Sequence, residues 1–522
     1  MNRIHHFATL LLVVIASLGQ HALGQASDGG AATAARPNVV IFLTDDQAWG
    51  DLSRNGNPYA LTPRIDQFAD QSVEMERFYV SPVCAPTRAS LMTGRWNFRT
   101  GVCTVNSGHL NPGETTIAQL FQQAGYATRM FGKWHLGSGE GLKPHQRGFD
   151  HAWYANGTQV KGTYHHPKNI EYNGAPYTPA AYTIDEWTNL SAAAMKECHA
   201  ADKPFFIYLA TNLVHTPLDP KKEYAERYKS KGLPCPGIYG MQDSIDENFG
   251  KLLDAIDELG IADNTIVIYF SDNGPQGKAS KGRFMGGLRG VKGTVYENGV
   301  RVPFYMRWPA GQITGGRVIK RLGAHVDILP TLLAACGIPM PDGLQIDGRN
   351  LLPLLNGAAD PGAWPDREIF LQWDAHSYPI KGAAFTAVTE NYKLVQARGL
   401  VRQTVLDQYQ EIADENQHPG NHSIDGPAVF ELFDINQDPD ETTDIAAQHP
   451  EVVERLRASY DAWFESVIGG MGPRKTVEEV LSEIAPRERS PEEEAKRQAK
   501  KADKKERKRS KKGPRKQEPF RE

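Results

Sequence analysis

Four short segments of this chain carry residue types that bind hard cations and move protons: Asp45-Asp46, Lys133 with His135, His215, and Asp272-Asn273. Three carboxylates and one amide are oxygen donors, a set suited to Ca²⁺ or Mg²⁺ rather than zinc. No His-x-x-x-His pair or Cys pair lies near them in the chain. A divalent cation beside lysine and histidine is equipment for holding an oxyanion ester and stabilising charge in its transition state. Each segment alone has an ordinary use: Asp-Asp as helix caps, Asp-Asn-Gly as a tight turn, Lys133, His135 and His215 as surface residues. A fifth candidate is Cys84, within Ser81-Pro-Val-Cys-Ala-Pro-Thr-Arg-Ala-Ser-Leu-Met-Thr-Gly94. Pro86 suits the opening of a helix, so Cys84 would stand near its amino end, where the helix dipole favours an anion. A lone cysteine is otherwise most often a buried, inert thiol.

The four segments share one property. Each comes just after a short apolar run rich in β-branched and aromatic residues: Val39 to Leu43, Thr128 to Phe131, Phe205 to Leu209 and Ile266 to Phe270. Such runs read as buried strands. Helical patterns lie between them, as in Ile245, Phe249, Leu252, Leu253 and Ile256. This alternation predicts an α/β domain with a mainly parallel central sheet. Ligands of such sheets bind outside the carboxyl ends of the strands, so the four segments would deliver their polar groups to one crevice. After about Trp364 the pattern changes. Ala384 to Val388 and Tyr392 to Val395 flank Glu390-Asn391 as a hairpin, Phe430 to Phe433 adds a strand, and a helix from Pro450 carries Val453, Leu456, Tyr460, Trp463 and Val467 on one face. A large domain over residues 36–364 and a smaller α+β unit over 365–470 are expected.

With 522 residues, 40% of them hydrophobic, the chain can build a large core. A collagen-like, fully disordered or multispanning membrane protein is excluded on composition. Residues 1–24 read as a secretory signal peptide, with Arg3 before the apolar stretch Phe7 to Leu18 and small residues after it. That stretch is short for a membrane span, which takes about 20 residues. Export to a secreted or periplasmic location is expected, with no membrane span once the signal is removed. The net charge of -4 hides a basic end: residues 487–522 hold 16 Lys and Arg against 8 Asp and Glu. Almost without large apolar residues, the segment 486–522 reads as a solvated tail, suited at most to polyanions. An acidic body and an export signal argue against nucleic acid. Of the five cysteines, Cys103, Cys198, Cys235 and Cys336 could form two disulfides in an oxidising compartment.

The Cys84 segment resembles the sulfatase family, whose hallmark Cys-x-Pro-x-Arg stands here as Cys84-Ala-Pro-Thr-Arg88, with the matching Leu-Met-Thr-Gly continuation. A second family motif resembles Gly125-Tyr-Ala-Thr-Arg-Met-Phe-Gly-Lys-Trp-His135, although Phe131 is bulkier than usual there. Arg36-Pro-Asn-Val with Asp45-Asp46, Ser271-Asp-Asn-Gly274, Leu288 to Pro303, and Glu431-Leu-Phe-Asp-Ile with Asp438 to Thr442 continue the likeness in order, over roughly residues 36–467. The resemblance implies an alkaline-phosphatase-like α/β core, a sandwich of helices about the sheet, and a Ca²⁺-dependent sulfate ester hydrolase. It further implies that a formylglycine-generating enzyme converts Cys84 to formylglycine, which becomes an aldehyde hydrate. Asp45, Asp46, Asp272 and Asn273 would hold Ca²⁺ with an oxygen from residue 84. Arg88 would stabilise the hydrate, and Lys133 and Lys292 would contact the sulfate. His215 would lie near the leaving oxygen and His135 near the second hydroxyl. One hydroxyl would attack sulfur while His215 protonates the alcohol; His135 would then take the second hydroxyl's proton as sulfate is expelled. A further polar residue of the family falls within Ala155 to Gln159 and is not assigned.

A phosphatase or phosphonate esterase on the same fold is the nearest alternative, and a non-catalytic binder of sulfated glycans is another. Specificity is expected from the loops Gly157 to Ala175 and Gln403 to Asp425. Their aromatic and histidine content suits stacking on sugars, favouring a sulfated carbohydrate over a small aryl sulfate. Oligomeric state and endo or exo action have no mark in the chain.

Overall fold

The computed structural model describes residues 36–105, 109–373, 379–397 and 429–469. The expected signal peptide over 1–24, the loop 403–425 and the expected basic tail from 486 lie outside the described residues. The four expected strands are present as Asn38–Thr44, Ala127–Lys133, Phe205–Ala210 and Thr265–Ser271. They stand side by side at the centre of a ten-stranded sheet, in the order 265–271, 38–44, 205–210, 127–133, with 151–155 next. These five run parallel. Both flanks turn antiparallel, through Phe304–Arg307 on one side and Ile170–Tyr172 on the other. The sheet is therefore parallel where its strands are buried on both faces and mixed at its edges.

Alternation along each central strand serves two cores. Val39, Ile41 and Leu43 face one, with helices Cys84–Thr93, Ile117–Gln123 and Ile328–Ala335. Val40 and Phe42 face the other, with Pro63–Asp70, Thr183–Ala200 and Pro236–Glu258. Ile245, Phe249, Leu252, Leu253 and Ile256 all pack in the second core, as their spacing predicts. Two-sided burial thus takes up every side chain from Val39 to Leu43. Polar chemistry can begin only where the strand ends.

The carboxyl-terminal unit is a four-stranded antiparallel sheet in the order Ile369–Gln372, Phe385–Val388, Tyr392–Gln396, Glu431–Asp434. Helix Pro450–Ile468 covers it; Tyr460 stacks on Phe385 with ring centroids 3.6 Å apart and donates its hydroxyl to Gln372 Oε1 at 2.7 Å. The buried face comprises Leu456, Tyr460, Phe464, Val467 and Ile468, with Val453 and Trp463 at its margin. Trp96, Phe98 and Tyr79 of the large unit share this core.

Charge also crosses between the two units. Lys393 Nζ lies 2.8 Å from both Glu297 Oε1 and Glu441 Oε1, all three fully buried. Burial and the neighbouring Glu297 charge push the Glu441 carboxyl up to about 7, against the pull of Lys393. Removing one partner from a buried ionic cluster leaves charge without compensation, at a cost of about 3–5 kcal/mol. Lys393→Met should lower the urea midpoint accordingly, and adding Glu441→Gln should recover part of the loss. An unchanged midpoint in the single variant would contradict this account.

Cys198 and Cys336 are free thiols, so the four cysteines that could have made two disulfides do not do so. Cys198 and Cys336 lie in the cores on opposite faces of the sheet, and Cys103 in the third core under the small sheet. Among the described residues, no helix is long and apolar enough to cross a membrane.

Candidate active site

Asp45 and Asp46 follow the first central strand, His215 the Phe205–Ala210 strand, and Asp272-Asn273 the Thr265–Ser271 strand; Lys133 closes its own strand, with His135 two residues beyond. The ladder carries on past the strands through Thr211 N to Leu43 O at 2.9 Å, Asp45 N to Leu213 O at 2.9 Å and Asp272 N to Thr44 O at 3.1 Å. Two glycines permit the close approach. A Cβ on Gly132 would stand 2.0 Å from Ala210 O, and one on Gly274 would stand 1.7 Å from Asn298 O. Asp46 and His135 themselves adopt left-handed backbone, both at φ 63°. For residues with a Cβ this costs about 1–3 kcal/mol, which the surrounding hydrogen bonds must sustain.

Helix Cys84–Thr93 starts at Cys84 itself, and all ten of its residues are buried. The Cys84 Sγ stands 3.4 Å from His135 Nδ1. Arg88, one turn on, donates to Asp272 Oδ2 through Nε at 3.0 Å and Nη2 at 2.7 Å, and to Lys133 O through Nη1 at 2.8 Å. Lys133 Nζ donates to Asp45 Oδ2 at 2.8 Å, and Lys292 Nζ to Asp46 Oδ1 at 2.5 Å. Asn273 Nδ2 donates to Asp46 Oδ1 at 2.8 Å, and His215 Nε2 lies 3.6 Å from Asp46 Oδ2. All ten residues singled out in the sequence thus form one connected cluster.

The two histidines are held differently. His135 Nε2 lies 3.0 Å from Val105 O, which can only accept, so Nε2 carries the proton and Nδ1 turns its lone pair to residue 84. His215 Nδ1 lies 2.7 Å from Thr216 O, so its proton is on Nδ1 while Nε2 faces Asp46. Burial, with Lys133 and Arg88 adding to it, holds His135 well below the ordinary imidazole range. Burial also lowers His215, to about 4, with Lys292 and Lys133 adding and Asp46 opposing. Asp46 stays well below the carboxylate range: burial opposes ionisation, but Lys292, His215 and Lys133 outweigh it. Asp272 is pushed up to about 6 by burial and by Asp45, against Arg88 and Lys133.

Three oxygens in this cluster, Asp45 Oδ1, Asp46 Oδ2 and Asn273 Oδ1, are buried without a hydrogen-bond partner. Leaving such acceptors unpaired costs about 1–3 kcal/mol each, so a group that takes them all is called for. Metal-ligating atoms of Asp45, Cys84 and Asp272 lie within 4.8 Å of one another, as do those of Asp45, Asp46 and His215. The fold thus brings a cysteine and a histidine near aspartates from which they are far apart in sequence. The orphaned atoms are nonetheless all oxygens, and they fit a hard cation.

Val105 and Tyr164 had no mark in the sequence. Val105 acts through its carbonyl, which any residue offers. Tyr164 directs its hydroxyl to His215 O at 2.8 Å and Asn212 O at 3.0 Å; it lies in the loop expected to govern specificity, yet nothing in its neighbours distinguishes it. Within Ala155 to Gln159 no side chain hydrogen-bonds a member of the cluster; the Asn156 amide is turned to Glu171.

A mainly parallel sheet ending in a buried nest of acids, lysines and histidines around a helix-opening cysteine defines a hydrolase of anionic esters. The chain belongs to the sulfatase family: the family's sequence profile, described as Sulfatase, matches residues 37–338, and a profile described as N-sulphoglucosamine sulphohydrolase, C-terminal, matches 291–422. It is accordingly a sulfuric ester hydrolase. It is 33% identical to arylsulfatase A of Homo sapiens over 82% of this chain and 88% of that protein. It is also 33% identical to N-acetylgalactosamine-6-sulfatase of Mus musculus, over 70% of this chain and 72% of the relative. Among solved structures it resembles Ps i-CgsB in complex with k-i-k-neocarrahexaose, with TM-score 0.72 and 24% identity over 87% of this chain and 98% of that one.

Proposed function

We propose that this protein is an exported, Ca²⁺-dependent sulfatase that removes sulfate from carbohydrates, using formylglycine made from Cys84 as its nucleophile. The observation that carries the reading is the placement of Cys84 Sγ at the unprotonated Nδ1 of His135, beside three orphaned carboxylate and amide oxygens. The names of the relatives and of the carbohydrate complex support a sugar substrate.

Asp45, Asp46, Asp272 and Asn273, with residue 84, would hold Ca²⁺, which when bound supplies charge neutralisation to the sulfate oxygens. The aldehyde hydrate at position 84 supplies an oxygen nucleophile and a second hydroxyl whose proton must later be removed. Arg88 fixes Asp272 and the end of the Lys133 strand, so that both keep their aim. Lys133 and Lys292 present ammonium groups to the sulfate and balance Asp45 and Asp46. His135 accepts a proton at Nδ1, for which its hydrogen bond to Val105 prepares it. His215 donates at Nε2; a bound sulfate ester brings negative charge beside it and favours the imidazolium that such donation needs.

Two measurements test this reading. Matched aryl sulfate and aryl phosphate substrates, followed by a panel of defined sulfated saccharides, should show sulfate turnover well above phosphate turnover. The reverse preference would make the protein a phosphatase on the same fold, and binding without hydrolysis would make it a glycan-binding protein.

The histidines should separate kinetically. His215→Ala should slow substrates with poor leaving groups by about 10²–10⁴-fold and good ones little. His135→Ala should release one equivalent of alcohol in a burst, then turn over slowly while the protein retains the mass of a sulfate group. A burst and retained sulfate in the His215 variant, with neither in the His135 variant, would exchange the two roles.

A further inference from the structure

The chain from Asn156 to Asn169 folds back on itself beside His215. Lys168 N donates to Lys161 O at 2.9 Å, and an antiparallel bridge joins Gly162 to Pro167. Asn169 fastens the base: its Oδ1 accepts from Lys161 N at 2.6 Å, and its Nδ2 donates to Asn156 O at 2.7 Å and Gln159 O at 2.9 Å. Tyr164, fully buried, anchors the tip on the carbonyls of His215 and Asn212. Asp219 Oδ2 accepts from Tyr164 N at 2.8 Å and His165 N at 3.3 Å. The hairpin is thus tied at both ends and shares a residue contact with the cluster.

What it presents outward is cationic. Lys161, His165, His166 and Lys168 are all exposed, and residues 156–169 include no Asp or Glu. Asp219, which meets the tip, turns Oδ2 to the backbone N–H groups of Tyr164 and His165. Lys161 and Lys168 occupy paired positions, where like charges oppose one another and cost stability. Among the described residues neither has an ion-pair partner. Each lies three or four residues from Tyr164, hence within about 14 Å of it.

Resting on the sulfatase reading, we propose that this hairpin is a second anion subsite, which binds a sulfate or carboxylate on the sugar adjoining the one that is cleaved. A pair of ammonium groups without an ion-pair partner, carried on a hairpin tied to the carbonyl of His215, gains such a partner when this substrate arrives. The protein would then discriminate among saccharides by the charge of the neighbouring unit, while the catalytic cluster handles the scissile sulfate alone.

The test uses the saccharide identified by the substrate panel in three forms: scissile sulfate alone, with a second sulfate on the adjoining sugar, and with a carboxylate there. For the intact enzyme, kcat/KM should be higher for the doubly anionic forms, and the advantage should shrink as salt rises. In Lys161→Ala/Lys168→Ala that advantage should fall about tenfold, through KM, as expected for two exposed charge contacts. Lys161→Glu/Lys168→Glu should reverse it. Response to only one doubly anionic form identifies which anion is read. An advantage that persists undiminished in both double variants, or that never exists in the intact enzyme, would overturn the subsite. Intact enzyme that hydrolyses aryl sulfate but no saccharide would overturn the carbohydrate reading and the subsite with it. Inactivity on aryl sulfate too would instead overturn the catalytic proposal.

Discussion

Cys84→Ala should yield a folded protein with no measurable turnover of any sulfate ester. The side chain is small, sits at the first residue of a helix and is replaced by a good helix former, so circular dichroism and the unfolding midpoint should stay close to those of the parent. Activity is another matter. Burial pushes the Cys84 thiol up, even though Lys133 and Lys292 pull it down. A thiol kept protonated is a weak nucleophile, and in the proposed reading the hydrate made from this residue, not its sulfur, attacks the ester. Protein made in a host with the modifying enzyme should therefore carry formylglycine at position 84, readable by mass spectrometry of the Cys84 peptide. Full activity from protein whose Cys84 peptide is entirely unmodified would falsify the proposal.

Asp46→Asn should cost about 10³-fold in kcat/KM, because the interaction of a cation with a developing oxyanion contributes several kcal/mol and each 1.36 kcal/mol is tenfold. The substitution keeps the shape of a side chain that touches Lys292, Asn273 and His215, so the loss reports charge and coordination rather than a cavity. Chelation of the parent enzyme should produce a comparable loss, restored by Ca²⁺. Elemental analysis should find one Ca²⁺ per chain in the parent and much less in the variant. Unaltered turnover by metal-free protein, or zinc bound tightly in place of calcium, would count against the assignment.

Much of this site was legible in the chain because the central strands are buried on both faces. A strand whose every side chain is apolar, such as Val39 to Leu43, makes the next polar residue conspicuous, and the fold class supplies the edge on which such residues meet. The Cys84 motif and its companions then named the chemistry. What escaped reading acts through geometry with no local pattern. The left-handed backbone of Asp46 and His135 falls on residues other than glycine. The carbonyl of Val105 belongs to no motif. Strand Ile369–Gln372, four residues long and close to Pro365, was too short to separate from its surroundings. Lys393, Glu297 and Glu441 meet from distant segments, and each alone reads as a surface charge. The cysteines were legible only as a count; which core each entered was decided by helix and strand faces.

The loop that carries Lys292 is bolted to the carboxyl-terminal sheet. Arg289 Nη1 reaches Glu431 Oε1 at 2.9 Å, the Arg289 guanidinium lies 3.9 Å from the Tyr296 ring centroid, and Tyr296 donates to Glu431 Oε2 at 2.5 Å. The small sheet is therefore no interchangeable module. A chimera that takes it from a relative must import an acid to meet Arg289 and a cation to meet Glu297, or strand those two charges in the interior. Recombination within such a protein is confined by this seam, and the two units must diverge together even while the loops around the mouth are free to change.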